Sequence, residues 1–97
     1  MIEFGMGHYS TPMLHDLCAA AGRQLVSLDT DESWVDRFRW LGSASHRIIH
    51  VESWEGDAEV EALYARSWAV AFVDQHPESA RVQVCTVVCV CVSLLSF

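Results

Sequence analysis

Residues 1–12 read MIEFGMGHYSTP, and their reading decides the fold. Ile2, Glu3 and Phe4 suit a short strand. Gly5 and Gly7 let the backbone turn tightly and approach a ligand with no Cβ in the way. Ser10, Thr11 and Pro12 have the form of a helix start, a hydroxyl N-cap followed by proline at the first helical position. A strand, a glycine turn and a helix N-terminus together offer backbone N–H groups and a positive dipole end to an anion, either phosphate or carboxylate. The alternative is a glycine-rich turn that binds nothing.

The residues around the glycines narrow the ligand. A dinucleotide fingerprint, G-x-G-x-x-G, needs its third glycine for close packing of helix on strand, and Ser10 stands there. Glu3, two places before Gly5, suits a ligand that carries an ammonium as well as an anionic group, and a methionine-like moiety has both. The order E-x-G-x-G over Glu3, Gly5 and Gly7 resembles motif I of the class I S-adenosylmethionine-dependent methyltransferases. The longer string GMGHYSTPMLH is similar to a group in that superfamily with a G-x-G-x-x-S-T-P loop. The similarity covers residues 2–81.

Outward from the loop, Pro12 to Ala21 is expected to be a helix. Its apolar face would hold Met13, Leu14, Leu17, Cys18 and Ala21, and Gly22 would end it. His15 falls on the other face, as an exposed residue. Gln24 to Leu28 reads as a second strand, which makes a β-α-β unit and so a parallel pair. Asp29 follows that strand, 22 residues after Gly7. An acid placed there can accept hydrogen bonds from both hydroxyls of a ribose; otherwise it is a turn residue or an N-cap.

Thr30 and Asp31 can cap a second helix, whose apolar face is Trp34, Val35, Phe38 and Leu41, with Gly42 as its stop. Trp34 and Trp40 read as core rather than as ligand contacts. Arg47 to Val51 is a third strand, with Glu52, Ser53 and Trp54 in the turn after it. Gly56 to Arg66 suits a short, acid-rich helix. Trp68 to Val73 is a near-continuous apolar run, as in a strand buried on both faces of a parallel sheet. Because ligands lie beyond the carboxyl ends of such strands, Gly5, Gly7, Asp29, Ser53 and Asp74 should share one edge.

The chain has 97 residues and fits one domain at most. Its net charge of −7 argues against a surface for a phosphate backbone. The start carries no signal-peptide pattern, and the cytosol is the default compartment for its four cysteines. Cys18 reads as a small buried apolar group. Residues 82–97, VQVCTVVCVCVSLLSF, carry no charge and change the character of the chain. They are too short for a membrane span. Cys85, Cys89 and Cys91 lack a fourth ligand at a recognised zinc spacing, so no metal site is assigned. Alternating Val and Cys is what a GT repeat encodes, and the tail is expected to be intronic or frame-shifted sequence outside the family fold.

The resemblance implies an α/β fold: a Rossmann-like parallel sheet in the order 3-2-1-4 with flanking helices, forming part of a methyltransferase domain over residues 1–81. It implies S-adenosyl-L-methionine as cofactor. Glu3, Gly5 and Gly7 would hold the methionine part, Asp29 the ribose, and Ser53 and Trp54 would border the adenine. Asp74 and His76 would face the substrate, with His76 able to serve as a base. The methyl acceptor is open, nucleic acid being disfavoured by the acidity, and the fragment is expected to have low or no transfer activity. Two other classes stand beside this one. The chain could be an NAD-type nucleotide-binding domain. It could instead be a non-catalytic module that self-associates through its sheet edge or its tail.

Overall fold

The computed structural model describes residues 1–74. The elements in chain order are β1 (Ile2–Phe4), α1 (Ser10–Ala21), β2 (Leu25–Asp29), α2 (Glu32–Phe38), a 3-10 turn (Arg39–Leu41), β3 (His46–His50), α3 (Ala58–Tyr64) and β4 (Ala71–Val73). The four strands form one parallel sheet in the order β3-β2-β1-β4. The α/β class and the strand order are those that the sequence led us to expect.

The register explains how the sheet divides its residues. Glu3 pairs with Ser27 on one side and Phe72 on the other, while Leu25 pairs with His46. Alternation along each strand therefore puts Glu3, Ser27, His46 and Phe72 on one face, and Ile2, Phe4, Val26, Leu28 and Ile49 on the other. The second face carries the larger core. Val60, Leu63 and Tyr64 of α3 pack there with Val51, Trp54 and Trp68. On the first face, Leu14 and Cys18 of α1 cover Leu25, and Val35 and Phe38 of α2 pack with Met6, Leu41 and Ile48. Between these two small apolar clusters lies a polar strip.

Both ends of the first helix are set by identifiable groups. Gly22 closes α1 in the left-handed conformation at φ 66°, and the N–H groups of Gly22 and Arg23 cap Ala19 and Cys18 carbonyls. The start departs from expectation. The N-cap position is Tyr9 and no side chain caps the helix. The hydroxyls of Ser10 and Thr11 turn inward to the Glu3 carboxylate instead, because a buried carboxylate left without donors costs more than an uncapped helix end. Pro12 is tolerated in the first turn, where N–H groups have no intrahelical acceptor. Later helices start conventionally. Asp31 caps α2 by accepting from Ser33 N–H, and Asp57 caps α3 by accepting from Glu59 and Val60 N–H.

Further corrections concern faces and boundaries. Met13 and Leu17 are more than half exposed, and only Thr11, Leu14 and Cys18 of α1 are buried. The apolar stripe is narrower than the sequence indicates because Thr11 and His15 take part of the inner face. The last strand is shorter than the apolar run 68–73. Trp68 precedes it and enters the core, where its indole N–H donates to the Leu63 carbonyl at 2.9 Å. β4 is also not buried on both faces: Phe72 is exposed and Ala71 and Val73 are half-buried. Among the described residues β4 is an outer strand, so one flank lacks the cover an inner strand has. Cys18 is the buried apolar group expected, with its thiol 3.7 Å from the Met1 sulfur. Residues 75–97, with His76, Cys85, Cys89 and Cys91 and the tail at 82–97, lie outside the described residues.

Candidate functional site

A cavity of about 300 Å³ opens at the carboxyl ends of the strands. It is lined by Met6 and Gly7 from the loop after β1, by Asp29, Thr30, Asp31 and Trp34 from the end of β2 and the start of α2, and by Asp74 after β4. This is the crevice where ligands bind in open parallel sheets, at the lower end of the usual size range.

The glycine loop is held from within. Gly5 has φ 89°, which favours glycine, and its N–H donates to the Leu28 carbonyl at 2.9 Å. The Met6 N–H donates to Asp29 Oδ2 at 2.8 Å. The Gly7 N–H donates to Thr11 Oγ1 at 3.0 Å, and the Thr11 N–H to the Gly7 carbonyl. A Cβ added at Gly7 would come within 3.0 Å of Ser10 Oγ. The amides of His8, Tyr9 and Ser10, just before the first turn of α1, have no acceptor among the described residues. They are free donors at the start of α1, next to the cavity lining of Met6 and Gly7 rather than part of it.

Asp29 is the hinge between the two walls. Its Oδ1 accepts from the Asp31 N–H at 2.9 Å while Oδ2 serves Met6. A carboxylate has about four lone-pair directions, so two remain for a ligand hydroxyl pair. Asp31 accepts from both the N–H and the hydroxyl of Ser33, and these bonds, the hydroxyl first, hold its carboxyl below the usual range. Trp34, which the sequence suggested was core alone, lines the cavity as well as packing against the α2 cluster. Its ring stacks on Phe38, receives the edge of His8 at 4.8 Å and lies under the Arg37 guanidinium at 5.1 Å.

The remaining expected residues divide. Gly7, Asp29 and Asp74 come together at the cavity, and Gly5 shapes the loop that borders it. Ser53 and Trp54 do not line it: Ser53 is exposed, and Trp54 is buried in the α3-side core, edge-on to Phe4 at a centroid distance of 6.4 Å. Glu3 lies under the loop, fully buried, with its carboxylate taken up by neighbours. Ser10 Oγ donates to it at 2.8 Å and Thr11 Oγ1 at 3.0 Å, and Ser27 is its register partner on β2. Burial raises the Glu3 pKa above its ordinary value, a rise that the Ser10 and Thr11 hydroxyls oppose and the Asp29 charge reinforces.

Two histidines complete this polar strip. His46 Nε2 is 2.8 Å from Ser27 Oγ, and His46 Nδ1 is 2.8 Å from His15 Nδ1. His15 is thus half-buried against the sheet, not on the solvent face where periodicity placed it. Burial, and secondarily the neighbouring His15, lower the pKa of His46 to about 4. The signal for this cluster was a polar residue in the middle of each of two adjacent buried strands, Glu3 and Ser27. Such residues need partners, and the partners are far away in sequence.

Comparison with protein-family models, with curated proteins and with solved structures returns no match for this chain. No described helix is long and apolar enough to cross a membrane.

Proposed function

We propose that residues 1–74 are the cofactor-binding half of a class I S-adenosylmethionine-dependent methyltransferase. The observation that carries the reading is the charge of the cavity. Its charged lining side chains are three carboxylates, of Asp29, Asp31 and Asp74, with no basic residue among them. A pyrophosphate would meet like charge on all of them at close range. A ligand with a sulfonium and an ammonium is attracted by the same three groups. The NAD alternative is disfavoured on this ground as well as by Ser10 in place of the third glycine.

The residues then take distinct parts. Asp29 accepts the ribose hydroxyls with the lone pairs left over from Met6 and Asp31. The amides of His8, Tyr9 and Ser10 receive the carboxylate of the methionine part. Trp34 offers an aromatic wall to the adenosine. Glu3 acts at one remove: it positions the loop through Ser10 and Thr11 and does not contact the ligand. The cofactor, when bound, supplies an activated methyl group; what the protein contributes is alignment of that group with an acceptor. Asp74 follows β4 and is tied to β1 by its N–H bond to the Phe4 carbonyl at 2.8 Å; in this reading it is the residue assigned to the acceptor side.

The test is calorimetric titration of the 97-residue chain with S-adenosylhomocysteine, and separately with NAD, beside Asp29→Ala. We expect S-adenosylhomocysteine to bind, NAD not to bind, and the Asp29 variant to lose at least about tenfold in affinity, or 1.4 kcal/mol. A folded chain that binds NAD instead, or neither compound, overturns the reading.

A further inference from the structure

His15 and His46 tie the first helix to the sheet through a single nitrogen–nitrogen contact. The two Nδ1 atoms are 2.8 Å apart, with ring centroids at 5.1 Å and the rings tilted by 37°. On the other side of its ring, His46 Nε2 is 2.8 Å from Ser27 Oγ. His46 is 2% exposed, whereas His15 on α1 is half-buried. The pair thus joins α1 to β3, with Ser27 of β2 at its inner end.

The number of protons decides whether this contact can exist. One ring must present an N–H and the other a bare nitrogen, because neither two bare nitrogens nor two N–H groups can bond at 2.8 Å. With both rings neutral the condition is met by either ring donating from Nδ1. With one proton added it is still met: the charged ring donates and the neutral ring accepts. The neutral ring is then His46, since burial, and secondarily His15, lower its pKa to about 4. His46 in that state carries its hydrogen on Nε2 and donates to Ser27 Oγ. A second proton places hydrogen on both Nδ1 atoms and sets two like charges face to face, so neither ring can accept.

We propose that the His15–His46 pair is an acid-released clamp, which holds α1 on the sheet while it carries at most one added proton and opens at the second. Release is passed toward the cavity along α1. Thr11 lies one turn before His15, donates to Glu3 and accepts from the N–H of Gly7, which lines the cavity. The groups around the pair leave the second charge uncompensated. Ser27 on β2 does not titrate, and neither does Ser43, whose Oγ accepts the His46 backbone N–H from the loop before β3. Glu3 on β1 shares the face by register, but burial raises its pKa above 4.5, so it is protonated before His46 and offers no counter-ion. On α1 itself, Asp16 is exposed and the Cys18 thiol turns to the Met1 sulfur at 3.7 Å.

The clamp is independent of what the cavity binds, and its test uses the whole chain without ligand. Nitrogen-15 NMR with labelled histidine reads both the scalar coupling between the two Nδ1 nuclei, which reports the shared hydrogen, and the protonation state of each ring nitrogen. The native chain should show the coupling at neutral pH and keep it while His15 alone is charged, with His46 protonated on Nε2. The coupling should vanish when His46 becomes imidazolium, and the backbone amides of Leu14 to Cys18 should lose hydrogen-exchange protection at that same midpoint while β1 and β2 keep theirs. In Glu3→Gln this step should remain, which separates it from the Glu3 titration. In His15→Phe, which keeps a ring without a nitrogen, the loss of protection should be absent. No coupling at neutral pH, or a coupling that survives the charging of both rings, overturns the proposal in the native chain without recourse to a variant. So does loss of protection over the whole chain at that midpoint, or an opening of α1 that persists in a folded His15→Phe.

Discussion

The Oδ2 atom of Asp29 accepts a hydrogen bond from the Met6 backbone N–H at 2.8 Å, and so the end of β2 holds the glycine loop that follows β1. The other oxygen holds the Asp31 N–H at 2.9 Å. Asp29→Ala leaves both amides without an acceptor and should lower the unfolding free energy by about 1 kcal/mol, as read by urea denaturation. Asp29→Asn keeps one acceptor oxygen and should cost less.

Gly5 is the loop position that resists substitution. Its φ of 89° lies where side chains are strained, and Gly5→Ala should destabilise the chain by about 1–3 kcal/mol. Gly7→Ala should act differently. The new Cβ would press on Ser10 Oγ at 3.0 Å, displacing that hydroxyl from Glu3. The expected result is a smaller loss of stability with a shift of the Ser10 and Thr11 amide resonances, seen by thermal unfolding and amide NMR respectively.

His46 and Glu3 give opposite pH dependences. The folded chain keeps His46 neutral down to about pH 4, whereas the unfolded chain protonates it below its ordinary value of 6.5. The unfolded state therefore binds more protons between these limits, and stability rises with pH across that window, by at most about 3 kcal/mol. Burial raises the Glu3 pKa above 4.5 in the folded state. The folded state then binds more protons, and this contribution to stability falls as pH rises through the folded value. Urea denaturation from pH 4 to pH 6.5 should show a flatter rise for His46→Gln and a steeper one for Glu3→Gln than for the native chain.

Trp34 and Trp54 should separate binding from packing. Trp54 is buried against Phe4 and away from the cavity. Trp54→Ala should cost about 3–5 kcal/mol, and the milder Trp54→Phe should lower thermal stability while leaving affinity for S-adenosylhomocysteine unchanged. Trp34 lines the cavity and is only half-buried. Trp34→Phe should leave stability within about 1 kcal/mol of native and, under the proposed function, weaken binding of S-adenosylhomocysteine as read by calorimetric titration.

Much of the fold was legible in the first 74 residues because local rules decide it. Alternating apolar runs and helical periodicity name the alternating elements, and the family resemblance supplied their order. Gly22 and Asp31 mark helix ends by local hydrogen bonding, a preference that acts within a few residues and so is written in the sequence. Asp29 was legible for the same reason: it stands directly at a strand end, where the fold puts ligands.

What the sequence by itself determined, then, was the parallel α/β architecture, the strand order by resemblance, and the cluster of Gly7, Asp29 and Asp74 at one edge. The tertiary structure alone decided which neighbours those residues serve. Ser10 and Thr11 carry the signature of a helix cap, yet Glu3 takes their hydroxyls because a buried carboxylate must be supplied with donors. His15 and His46 are 31 residues apart and meet only when α1 packs on β2, beside β3. Trp34 and Trp54 look alike as aromatic positions, and only packing sends one to the cavity wall and the other into the core. Local propensity acts over a turn of chain, whereas the pairing of buried polar groups is settled by whatever the folded chain brings within about 3 Å.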